Sequence, residues 1–474
     1  MTLRAIRRRG DLNDFSLYSQ GWRIPSPPHV TPGGPGERTP AEVFEAAVSQ
    51  RPAARVYGSL VRTSSWSLLA NFFYALSQWA LIAALARLSN PETVGRYALA
   101  AAVASPPMIL ASLQLRTVAA MDVRRRFALA TYWKVRLPAT GSALLAVVAL
   151  VWMLRLPALS ALETAMMAVL KSLEGFADVY YGLLQRNERM ATIAWSCCGK
   201  GTLSFFTFAA LLRATGLLWA ALAGMAACHL IALALVERPA CREALRSETA
   251  AFPPCPPDGK PGSDSGSARQ LVRGAVPLGL VVAFISVNAS MPRYFIEWRQ
   301  GSAMLGCFAA LGSLALALQT AVSAVAQAAA GRLAFYHSQD RAAFFRLTGK
   351  ILALAFIVGA AAAGGSRWLM PLVTLLYGPS YASQPQLLGW LMAAAALFGI
   401  SSLLGTALTA AQVVWAQPAL YAAAVVCSIG FCRIFIWPGH PAAGAQALVI
   451  SAAVLAIGQA ALLHRTLGPR RASS

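Results

Sequence analysis

"ALSALETAMMAVLKSLEGFADVYYGLLQ", residues 158 to 185, is long enough as a helix to cross a ~30 Å hydrocarbon core. It nonetheless carries Glu163, Lys171, Glu174 and Asp178. At 100° per residue, Glu163, Lys171, Glu174, Asp178, Tyr181 and Gln185 fall within an arc of about 80°. Phe176, Val179 and Leu183 point elsewhere. An ionisable side chain at the centre of a membrane helix costs at least ~2.5 kcal/mol, so such residues face a bundle interior or a water-filled cavity. The stripe is therefore expected to line a hydrated space. The competing reading is a purely structural network, with Lys171 neutralised by Glu174 and Asp178.

The rest of the chain has the same apolar texture. Of its 474 residues, 57% are hydrophobic and 12% charged, about half the charged fraction of a soluble protein. About 12 apolar blocks have spanning length, at 65–87, 97–120, 138–156, 158–184, 192–213, 216–236, 274–292, 303–330, 348–369, 387–411, 416–437 and 441–463. They are continuous and rich in Ala and Leu, which excludes a β-barrel and predicts an all-α polytopic membrane protein. Of the 40 Lys and Arg, 29 fall on one side of this arrangement and 7 on the other, so both termini are expected in the cytoplasm. The same distribution accounts for the net charge of +22 by inward-facing loops attracted to anionic lipid headgroups, and nucleic acid is not an expected partner. The eight cysteines show no metal-ligand spacing with His and read as small apolar fillers.

Composition divides the chain into a disordered basic cytoplasmic tail (1–57), a six-helix bundle (58–236), a Pro/Gly/Ser-rich cytoplasmic linker (237–270), a second six-helix bundle (271–465) and a short cytoplasmic tail (466–474). The bundles echo each other. "PETVGRYALA" (91–100) and "SAMLGCFAAL" (302–311) align at an offset of 211 residues, with Gly95 matching Gly306 and Tyr97 matching Phe308. Paired bundles of this kind house a midplane site between repeats in many transporters. Intramembrane cations concentrate in the first half, where Arg116, Lys171 and Lys200 suit a phosphate or pyrophosphate. Ser67, Asn71, Tyr74 and Gln78 form a second polar face. The second half is drier, with Asn288, Gln319 and Gln327 as its main buried polar residues, and His229 reads as a satisfied core histidine. Arg116, Lys171, Lys200, Asn71, Gln78 and Tyr181 are the expected substrate contacts, and Glu174 and Asp178 the expected ion-coupling carboxylates. No nucleophile–base pair, phosphate loop or metal motif is present, so neither enzymatic activity nor a cofactor is expected.

Five tracts carry a family resemblance. They are "SLLANFFYALSQWALIAALARLSNPETVGRYALAAAVASPPMILASLQLR" (67–116), "LQLRTVAAMDVRRRFALATYWKVR" (113–136), "YYGLLQRNERM" (180–190), "MPRYFIEW" (291–298) with "LGCFAAL" (305–311), and "LLYGPSYA" (375–382). Their order and the six-plus-six layout resemble oligosaccharide flippases of the Wzx type, within the multidrug/oligosaccharidyl-lipid/polysaccharide (MOP) exporter superfamily. The resemblance covers roughly residues 60–465. It implies a bacterial inner-membrane protein that moves an undecaprenyl-pyrophosphate-linked oligosaccharide between leaflets by alternating access, coupled to an ion gradient. Exopolysaccharide, capsule and O-antigen units all remain open as cargo, and polysaccharide-assembly proteins are the implied partners. By position, Arg116 and Lys171 are the cations the resemblance would carry over. The competing readings are a multidrug or small-solute exporter of the same superfamily, and an integral-membrane glycan polymerase or ligase. The first would want a net acidic cavity and the second large periplasmic loops.

Overall fold

The computed structural model describes residues 73, 76–122, 125, 127–251, 267–411, 413 and 416–467. The expected N-terminal tail, Asn71 and most of the C-terminal tail lie outside them. The described residues form helices and turns with no strand, as a chain denied water for its backbone groups must. In the first half these are α1 (Leu76–Leu88), α2 (Pro91–Ser112), α3 (Leu115–Met121), α4 (Leu129–Met153), α5 (Ala158–Arg186), α6 (Met190–Thr215), α7 (Leu218–Ala232) and α8 (Arg238–Ala251). In the second they are α9 (Ala268–Gln300), α10 (Ser302–Gln339), α11 (Arg341–Gly364), α12 (Met370–Tyr377), α13 (Pro385–Ala410), α14 (Gln417–Phe435) and α15 (Ala443–Leu467). Joined across their breaks, nine stretches among the described residues are long and apolar enough to cross a membrane. The expected fourth and fifth spans, α5 and α6, are helices of spanning length outside that set.

Helix ends follow their local chemistry. Asn90 caps α2 by accepting from the Thr93 N–H at 2.9 Å, with Pro91 in the first turn. Ser267 and Gln270 form a reciprocal capping box at the start of α9. Asp340 accepts from two backbone N–H groups at the start of α11.

Several boundaries correct the sequence reading. The second expected span is broken at Leu113 and Gln114, both in the left-handed region (φ 46° and 51°), and α3 starts afresh after the break. The third begins at Leu129 instead of 138, which brings Arg136 inside a helix. The expected linker opens as helix: a π-helical turn at Leu233–Glu237 joins α7 to α8 without interruption. The seventh runs on to Gln300, so Arg293 is helical too. In the last three cases a charge read as the edge of a span, Arg136, Glu237 or Arg293, lies within a continuing helix.

One core joins the two halves. It runs through Leu85, Val94, Leu99 and Val103 of the first half and Leu305, Leu311, Tyr377 and Leu387 of the second. At its centre α2 crosses α10 with almost no side chain between them. A Cβ on Gly95 would collide with the Ser302 carbonyl, and one on Gly306 with the Pro91 carbonyl. These two collisions are the same contact seen from each repeat, because Pro91 and Ser302 stand at the offset of Gly95 and Gly306. Around it, Trp79 donates to the Tyr377 hydroxyl at 3.0 Å, Tyr294 donates to the Ala102 carbonyl at 2.6 Å, and Arg87 donates to the last carbonyls of α12. Gly378, at φ 106°, makes the turn that only glycine takes readily after Tyr377. Away from this junction the cores separate. One gathers Leu115, Tyr132, Tyr180, Leu183 and Cys241 with Leu271 at the start of α9; another gathers Ala326, Leu333, Phe344, Leu403 and Leu408.

Gly95→Ala and Gly306→Ala are each expected to destabilise the fold by about 1–3 kcal/mol, the usual range for overpacking. Gly141→Ala, whose Cβ meets nothing within 4 Å, should be neutral or gain up to about 1 kcal/mol. Thermal unfolding in detergent reads the difference, and equal midpoints for all three variants would contradict the close crossing.

Candidate functional site

The charged stripe of α5 meets a charge at nearly every step. Glu163 lies 3.8 Å from Arg96 of α2, and Lys171 bonds Glu174 at 2.8 Å one turn along its own helix. Asp178 lies 3.4 Å from Arg116 of α3, and Arg186 lies 3.7 Å from Asp122, just past the end of α3. His229 approaches Glu174 to 3.9 Å while its other ring nitrogen meets the Met225 carbonyl at 2.9 Å, so it is bonded as expected of a core histidine.

The glycines of the opening stretch make this possible. Gly175 leaves the room that the Arg136 guanidinium occupies, and Arg136 donates to the Ala111 carbonyl at 3.2 Å. Gly182 lets α3 come so close that a Cβ there would stand 2.8 Å from the Arg116 carbonyl oxygen. On a helix wheel both glycines lie within about 40° of Lys171, alongside the charged arc. Small residues bring the neighbouring backbones in, and the neighbours bring their arginines.

Exposure sorts these groups. The Arg116 and Asp178 side chains are 39% and 43% exposed, and Lys171 and Glu174 26% and 20%. Helices from both sides flank α5, and a lipid-facing charge at mid-helix would be strongly penalised, so these pairs border a hydrated space. The ends of the stripe differ from expectation. Glu163 is fully buried, and Tyr181 is 4% exposed. Tyr181 donates to Glu237 at 2.5 Å and shares hydrogen bonds with Ser196 at 2.9 Å and Lys200 at 3.1 Å. Lys200 in turn bonds Glu237 at 2.9 Å, with 8% and 0% of the two side chains exposed. Tyr181 and Lys200, expected to meet substrate, thus form a sealed cluster, and the hydrated part of the stripe is its middle. The Arg116 guanidinium stacks over the Tyr181 ring at 5.3 Å, which makes that cluster the floor on which Arg116 rests. Gln78 is half-buried on α1, and Asn71 lies outside the described residues.

Three participants escaped the sequence reading. Glu237 was assigned to the linker, Arg136 to a loop and Arg293 to the opposite side. The π-helical turn aims Glu237 at Lys200, and an uncompensated Lys200 was the signal that a partner had to exist. Arg293 makes no ion pair among the described residues, and its buried Nε has no hydrogen-bond acceptor. It shares Tyr97 as an electrostatic neighbour with Lys171 and Glu174, so it approaches the stripe from the second half.

Removing either member of a buried ion pair strands the other, at a cost of about 3–5 kcal/mol. Glu237→Ala and Lys200→Ala are each expected to destabilise within that range, and the double variant by clearly less than their sum. Additive losses in thermal unfolding would show that the two charges do not depend on each other.

Known proteins place this architecture. The model of the family described as "polysaccharide biosynthesis protein" matches residues 60–330, more than half of the chain. The capsular polysaccharide biosynthesis protein CapF of Staphylococcus aureus is 21% identical over 324 residues, covering 68% of this chain and 78% of CapF. Among solved structures, the lipid II flippase MurJ in an inward closed conformation superposes with a TM-score of 0.54 at 12% identity, covering 84% of this chain and 87% of MurJ. An outward-facing multidrug resistance MATE family transporter of the MOP superfamily also gives 0.54, at 15% identity, covering 86% of this chain and 95% of the transporter. At such identities the likeness concerns the fold. Its apolar helices and the fold of MOP-superfamily transporters make this a multi-pass membrane protein, and the chain belongs to the polysaccharide biosynthesis protein family.

Proposed function

We propose that this protein is a flippase that moves an undecaprenyl-pyrophosphate-linked oligosaccharide, an exopolysaccharide, capsule or O-antigen unit, across the bacterial inner membrane. The observation that carries this reading is the pair of hydrated ion pairs, Arg116–Asp178 and Lys171–Glu174, inside a polysaccharide-family membrane protein. A pyrophosphate entering a low-dielectric cleft competes with the carboxylates for Arg116 and Lys171. Arg293 adds a cation with no carboxylate to displace. Once the cations turn to phosphate, Asp178 and Glu174 lose their counter-charges and take up a proton or Na⁺ instead. Cargo binding and ion uptake are then linked through the same four side chains.

Alternating access follows from the cores. The two six-helix bundles, 58–236 and 271–465, share a large core at the Gly95/Gly306 end; at the other end the start of α9, through Leu271 and Ala275, joins a smaller core with Leu115 and Tyr132, and α10–α15 hold a core of their own. With the cytoplasmic orientation of the termini that the Lys and Arg distribution favours, the end with the smaller shared core faces the cytoplasm. The Gly95/Gly306 end must part for release. Basic residues of the cytoplasmic connections attract anionic headgroups there, and glycan-assembly proteins are the natural partners on either side.

Cells deleted for this protein should accumulate the lipid-linked glycan in the cytoplasmic leaflet, shielded from a membrane-impermeant periplasmic glycan-modifying enzyme. Arg116→Ala, Lys171→Ala and Arg293→Ala should reach the membrane at normal levels yet restore less than a tenth of polymer export. Full export by all three would remove these residues from the mechanism.

A further inference from the structure

The second half contains a cavity of about 540 Å³ bordered by α9, α10, α13, α14 and α15, of a size that takes a small organic ligand. Its chemistry is unlike that of the α5 stripe. Polar side chains from four helices border it, among them Asn288, Gln319, Ser402, Thr406, Gln417 and Tyr421, and its lining includes no carboxylate, ammonium or guanidinium. Asn288 is 4% exposed; it donates to the Ser451 hydroxyl at 3.2 Å and leaves its carbonyl oxygen without a partner. Thr406 and Thr409 donate into the carbonyls one turn back at 2.8 Å each; Thr409 already accepts from the Gln417 amide at 3.2 Å, and Thr406 keeps its oxygen lone pairs to accept from outside the helix. Phe398 and Tyr421 add two aromatic rings to the same wall.

Each ligand class makes a different demand on such a wall. A lipid chain gains nothing from three amides and a row of hydroxyls, and burying them against it leaves them unsatisfied. A phosphate or uronate needs a cation, and a metal ion or drug cation favours a carboxylate; the lining has neither. An uncharged polyol ring matches on both counts: its hydroxyls alternate as donors and acceptors for amides and hydroxyls, and its C–H faces pack on aromatic rings. We infer that this cavity is a subsite for an uncharged sugar of the cargo, separate from the charged stripe that takes the pyrophosphate. The subsite rests on the flippase reading above and deepens it. The carrier's charge is read in the first half, and the neutrality of the glycan in the second.

The test uses the full-length protein in lipid nanodiscs with four probes: bare undecaprenyl pyrophosphate, and the same carrier bearing a disaccharide of N-acetylglucosamine, of galactose or of glucuronic acid. At least one neutral disaccharide is expected to tighten binding tenfold or more over the bare carrier, and glucuronic acid is expected not to. Gln319→Leu, at a half-exposed side chain, and Asn288→Leu should each abolish the gain and leave the bare-carrier affinity unchanged. Bare carrier that binds as well as every glycosylated probe overturns the subsite and leaves the flippase reading standing. A gain that survives Gln319→Leu, or one that glucuronic acid shares, also overturns it. Failure of all four probes to bind overturns both.

Discussion

A charge inside a bilayer must find an opposite charge or water, and the first half is built around that constraint. Helix α5 carries five charged residues from Glu163 to Arg186, and Arg96 of α2, Arg116 of α3, Asp122 after it and His229 of α7 come up to meet them. Gly175 and Gly182 are what such crowding requires, because a single Cβ at either would push away the arginine or the backbone that balances the stripe. The left-handed break at Leu113–Gln114 belongs to the same solution. Two non-glycine residues at positive φ are unfavourable locally, and they persist where surrounding structure holds them. Here the break lets α3 start on a new axis and carry Arg116 to Asp178.

The charges then divide by depth of burial. Lys200, Glu237 and Tyr181 are shut away from water in this conformation and hold one another in place. Arg116, Asp178, Lys171 and Glu174 keep one side wet, and a hydrated ion pair is easily exchanged for another counter-ion. Stability and responsiveness are thus assigned to different groups, the Lys200–Glu237 pair beside α5 and the two pairs along its stripe.

Much of this was legible in the residues. The helical class, the angular clustering on residues 158–185 and the alignment of Gly95 with Gly306 all follow from periodicity and spacing, which are local properties. What spacing missed has one cause. A hydropathy reading treats a charge as the end of a span, yet a helix runs on through a charge that neighbouring helices enclose. Arg136, Glu237 and Arg293 were therefore placed in connections, and α4, α7–α8 and α9 were drawn too short. Tyr181 and Lys200 failed in the opposite direction. Tyr181 does lie on the polar arc and Lys200 in mid-span, but a wheel diagram cannot distinguish a face turned to water from one covered by Glu237. The neutral cavity was invisible for a related reason. Asn288, Gln319, Gln417 and Tyr421 are scattered over more than a hundred residues and converge only in the folded chain.

The crossing of α2 and α10 has a consequence for ancestry. Gly95 meeting Ser302 while Gly306 meets Pro91 is the reciprocity that a two-fold axis imposes on two identical subunits. A homodimer obeying that axis must show every cation and every amide twice, once per copy. Fusing the copies into one polypeptide abolishes the obligation. In one polypeptide, one half is free to collect charge while the other stays neutral, as the charged stripe of α5 and the uncharged cavity of the second half do.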